Sequence, residues 1–153
     1  MIRFFSLCIF GAVLSVSSIN SYAELNTSTI IKNNNVDACA EISGGINSEC
    51  LSSISKRTEK ELNDEYQNKL KEISNFDYSH WWMGGKEQRD EMKKSFIRSQ
   101  ELWLKYRQEY CKAASAGAEG IDGYGSIALS CQINMGIRRI EEIRMVHPDL
   151  SDG

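Results

Sequence analysis

Apolar residues recur along this chain with a helical period. Leu51, Ile54, Leu62, Tyr66, Leu70 and Ile73 fall on one face, while Lys56, Arg57, Glu59, Lys60, Glu61, Glu65, Lys69 and Glu72 fall on the other. The spacing predicts a first long helix from about Ser48 or Cys50 to Ser74. Within it, Glu65 and Lys69 stand four residues apart in the favourable order for an ion pair. A near-heptad stripe of Met92, Phe96, Ser99, Trp103, Tyr106 and Tyr110 predicts a second helix from about Lys86 to Ala116, with the stripe as its core seam. Glycines at 117, 120, 123 and 125 end that helix, and Ser126 is the expected cap of the next. In the third helix, from about Ile127 to Val146, Ile133, Ile137, Ile140 and Ile143 share a face, and Arg138, Arg139, Glu141 and Arg144 stay polar. Pro148, the only proline, follows its end.

Between the first two helices the pattern breaks. Residues 74–88 are long for a helix–helix connection and carry Phe76, Tyr78, His80, Trp81 and Trp82. Such a segment either packs onto the core or meets a partner. Tyr78, His80, Trp81 and Trp82 are therefore the candidate partner-binding residues.

The ends of the chain add compartment. Arg3 precedes an apolar run from Phe4 to Val16, no acidic residue comes before Glu24, and Ser21-Tyr22-Ala23 closes the stretch with small residues. This reads as a cleaved signal peptide over residues 1–23, too short for a permanent span of about 20 apolar residues. No cysteine lies near Ala23, so no lipid attachment is expected. Residues 24–37, polar and without period, read as a flexible leader. Residues 38–147 form the helical domain, and 148–153 a tail.

Cleavage removes Cys8 and leaves Cys39, Cys50, Cys111 and Cys131. An even set in an exported chain implies disulfides. Four cysteines allow three connectivities. Local pairing, Cys39 with Cys50 across Gly44-Gly45 and Cys111 with Cys131 around the glycine-rich stretch, is preferred, and crossed pairing stays open. The expected fold is an all-α, small three-helix bundle-like domain stapled by two disulfides. Each disulfide would add about 2–4 kcal/mol, which matters because a mature chain of about 130 residues is only marginally stable.

Losing Arg3 takes the formal charge from −3 to −4. That mild acidity argues against nucleic acid and anionic membranes, which call for basic patches. No catalytic constellation emerges. His80 and His147, the only histidines, have no metal-ligand spacing around them. There is no C-x-x-C, and Gly123-Tyr124-Gly125-Ser126 is not a phosphate loop. Carboxylates fall mainly on solvated helix faces. The expectation is a protein with no catalytic or metal site and no cofactor.

An ordered chain of short motifs resembles the LprI-like lysozyme-inhibitor domain family. Cys39 and Cys50 open it, and Leu62-Asn63 with Tyr66 match the first helix. Ser99-Gln100, Trp103, Tyr106-Arg107 and Cys111 match the central signature. Gly123-Tyr124-Gly125-Ser126 resembles the glycine–serine turn, and Cys131, Arg139 and Glu142-Ile143 the closing helix. Gln108 stands where an acidic residue is usual, and 74–88 looks like an insertion. The resemblance implies an exported, periplasmic or secreted, non-catalytic binding protein that inhibits a lysozyme or related cell-wall hydrolase. A basic lysozyme would suit the acidic chain. Two alternatives are an immunity protein against an imported toxin and an envelope accessory protein with no enzyme target. Trp103 and Tyr106 are expected in the core. Arg107 is expected to reach a carboxylate or a helix carbonyl end, and Arg139 to behave similarly. Leu62, Tyr66, Gln100 and Gly125 complete the structural set.

Overall fold

A computed structural model describes residues 30–41, 47–80 and 85–149. Among these residues the fold is all helix. α1 (Asn34–Glu41) is short, whereas α2 (Ser48–Asn75), α3 (Lys86–Ser115) and α4 (Tyr124–Arg144) are long. Brief 3-10 turns at Tyr78–His80 and Ala116–Ala118 interrupt the connections. The three long helices span close to the ranges that the sequence periodicity predicts. No described helix is long and apolar enough to cross a membrane. The expected signal peptide lies outside the described residues.

Local chemistry sets the helix ends. The Asn47 side chain accepts from the Cys50 backbone N–H at 2.9 Å, satisfying a donor that the first turn of α2 would otherwise leave open. α4 starts differently from expectation. Its cap is Gly123, whose φ of 93° is left-handed backbone open to glycine at little cost, and Ser126 lies inside the helix. Gly125 sits in the first turn of α4.

α4 is the centre of the domain and packs on α2, α3 and α1. Leu62 and Ile73 from α2, Phe96 and Trp103 from α3, and Met135, Ile140 and Ile143 from α4 form the main core. A second cluster joins Val36, Cys39, Leu51 and Ile133. The cysteines pair locally. Cys39 bonds Cys50 and Cys111 bonds Cys131, each with Cα atoms 5.6 Å apart. The first bridge ties α1 to α2, and the second ties α3 to α4.

Three expectations need correcting. From Ile30 onward the leader is folded, since Ile30 and Val36 are buried and residues from Asn34 are helical. Its few apolar residues gain by leaving water, and the Asn134 amide donates to the Ile30 carbonyl at 2.9 Å. Second, Tyr106 is 54 % exposed. The inner face of α3 is Phe96, Gln100, Trp103, Cys111 and Ser115, with Arg107 beside them, because a 3.6-residue helix drifts off a strict seven-residue stripe. Third, Lys69 pairs with Glu72 at 2.7 Å, and Glu65 instead shares Arg144 with Glu61. Lys69 is buried, so the carboxylate nearest its tip takes the charge.

Candidate functional site

Residues of the central signature converge on one seam between α2, α3 and α4. Trp103 is buried at its centre. The Arg107 guanidinium, one turn further along α3, lies 4.8 Å from the ring centroid, and the Arg139 guanidinium, from α4, lies 5.7 Å away. Both distances fall in the range of cation–π attraction. Arg107 donates through both terminal nitrogens to Glu59 on α2. Arg139 donates through Nε to Gln100 Oε1 at 2.9 Å, through Nη1 to Glu142 at 2.9 Å and through Nη2 to Ser99 Oγ at 3.0 Å. The planar fork of arginine suits this role, because one side chain can serve several acceptors while stacking on a ring.

Gly136 makes room for the seam. A Cβ built there would stand 2.9 Å from Thr58 Cγ2 and 3.8 Å from Arg107 Nη1. α2 and α4 thus cross at a point where only hydrogen fits, with buried Thr58 facing it. Leu62 and Tyr66 continue the α2 side, and Tyr66 stacks on Phe96 with centroids 5.3 Å apart. Burial pushes the Tyr66 phenol above its ordinary pKa, and Glu101 adds to the shift.

Chemically, the seam is a clasp. Its cations are matched by carboxylates or amide oxygens, and it holds no histidine, free thiol or paired carboxyl groups. Among the described residues no group of His, Cys, Asp and Glu could hold a metal ion. Its effect is to hold three helices in one register.

The α2–α3 connection turns part of its aromatic content inward. Tyr78 is 8 % exposed, packs edge-on against Phe76 at 4.8 Å and donates its hydroxyl to Met92 Sδ at 3.0 Å. Burial raises its phenol pKa; Arg89 opposes the shift and Glu72 reinforces it. Of the four candidate partner-binding residues, Tyr78 is therefore built into the core. The His80 side chain, Trp81 and Trp82 lie outside the described residues.

The family model for the lysozyme inhibitor LprI matches residues 38–143, well over half of the chain. The chain belongs to the LprI lysozyme-inhibitor family. No curated protein and no solved structure matches it. The LprI span encloses both disulfides and the whole Trp103 seam, whereas the folded segment from Ile30 to Asp37 precedes it. Family membership and two disulfides fit an exported, non-catalytic protein with a protein partner.

Glu59, Thr58, Gly136 and Asn134 were not singled out from sequence. Gly136 carried a signal, since an isolated glycine inside an apolar helical pattern usually has a packing reason. Glu59 looked like one solvated acid among many, and only helix crossing selects it. Asn134 is a buried amide on the mostly apolar inner face of α4, one turn after buried Ser130.

Proposed function

We propose that this LprI-family protein acts in the periplasm or outside the cell, where it binds a lysozyme or related cell-wall hydrolase and blocks it without being an enzyme. The family match over residues 38–143 carries this reading. The mildly acidic chain supports it, because lysozymes are generally basic and opposite charge speeds encounter. The proposed contact is the α2–α3 connection. Tyr78 fixes its start to the core, and Trp81 and Trp82 are the intended anchors with His80 between them and Tyr78 in the chain. Tryptophan is enriched among residues that dominate binding energy.

The test is a titration of purified, oxidised mature protein against several lysozyme types. Inhibition saturating near one inhibitor chain per enzyme supports the reading. A paired Trp81→Ala and Trp82→Ala variant should lose inhibition and keep its helical circular dichroism. Absence of inhibition by a folded, fully disulfide-bonded sample at micromolar excess would overturn the hydrolase assignment.

A further inference from the structure

α3 carries an apolar stripe on its outer side. Leu102, Tyr106 and Tyr110 recur every fourth residue and are 55, 54 and 37 % exposed. The two tyrosine rings pair with centroids 5.5 Å apart. At its ends the stripe meets exposed Arg98, one turn before Leu102, and uncharged, exposed Ala113, one turn after Tyr110. A solvated helix face normally carries charge, so two tyrosines and a leucine side by side form a face suited to burial. Along its outer flank lie Lys105 and Glu109, both exposed, and neither makes an ion pair among the described residues.

We infer that this face seats α3 of a second copy of the chain, in antiparallel orientation, and that the protein forms an isologous dimer. The charge pattern selects that occupant. A two-fold axis normal to the plane of two antiparallel helices keeps each flank of one beside the same flank of the other. Placed level with Arg107, midway between Lys105 and Glu109, the axis sets each lysine level with the glutamate of the second copy. Two symmetric ion pairs then close the flank, as flanking charges do in paired helices. The same axis interleaves Leu102, Tyr106 and Tyr110 with their counterparts along about 12 Å of helix. Contact through one helix per copy lies at the low end of specific interfaces, roughly 1,000 Å² in total, so the dimer is reversible. This inference is independent of the inhibitor reading.

Sedimentation velocity of the mature, oxidised protein over a dilution series from high to low micromolar tests it. The expected result is a concentration-dependent shift between dimer and monomer mass. Lys105→Glu alone, or Glu109→Lys alone, turns both attractions into repulsions and should weaken the dimer by about tenfold. The combined swap, Lys105→Glu with Glu109→Lys, should restore it. Circular dichroism should be the same for all, since both positions are exposed. Wild-type protein that stays monomeric throughout overturns the inference. So does a dimer indifferent to the single swaps, which would be using another face. Loss of hydrolase inhibition on Tyr106→Ser with a monomeric wild type would assign the stripe to the enzyme and equally overturn it.

Discussion

Arg107 on α3 pairs with Glu59 on α2, and the same guanidinium lies 4.8 Å from the centre of the Trp103 ring. One side chain thus joins two helices and covers the aromatic centre of the seam. The arginine is largely shielded while the glutamate is half exposed, so solvent screens part of the attraction. Arg107→Ala should lower stability by about 1–2 kcal/mol, through lost ring packing as much as lost charge. Arg107→Lys should recover only part of that, having one point charge and no planar fork. Urea unfolding of the three proteins measures this. Equal stability of Arg107→Ala and wild type would remove the clasp from the account.

Gly136 faces Thr58 with no room for a methyl group. Alanine in a helix interior normally stabilises by about 1 kcal/mol relative to glycine. Here the added Cβ must displace a β-branched side chain on a neighbouring helix, and the overpacking should win. Gly136→Ala is expected to cost a net of about 1–2 kcal/mol. Thr58→Ser, which removes the clashing Cγ2, should return most of the loss in the double variant. A double-mutant cycle reads the coupling. A more stable Gly136→Ala variant would mean that α2 and α4 are not in close contact there.

Tyr66 and Tyr78 titrate above their ordinary value because burial penalises the phenolate. A raised folded-state pKa means that the folded protein holds these protons more tightly than the unfolded chain. The resulting stability is complete below the unfolded value of about 10 and is lost as pH rises through the folded values. Urea midpoints should therefore fall steeply on the alkaline side of pH 10. Tyr66→Phe and Tyr78→Phe should each flatten that fall. A slope unchanged in both variants would place the alkaline sensitivity elsewhere.

The three long helices, their approximate ends and the local pairing of the cysteines were legible along the chain. Each depends on residues close in sequence, namely a hydrophobic period, a glycine or proline at an end, and two cysteines flanking a turn. The inner register of α3 was not legible. Ser99 and Tyr106 fit a seven-residue stripe as well as Gln100 and Arg107 fit the true face. Gln100 and Arg107 turn inward where Arg139 from α4 meets Gln100 and Glu59 from α2 meets Arg107, while Ser99 meets the same Arg139 at the exposed edge of the seam.

The folding of Ile30 to Asp37 escaped for a related reason. Two isoleucines and a valine among polar residues show no period, and only packing against α2 and α4 draws them out of water. Helix formation is a local property, because its hydrogen bonds and side-chain pairs span three or four residues. Which face turns inward, which acid meets Arg107 and where a glycine must stand depend on crossings between segments far apart in the chain. Those crossings are settled only when the helices pack.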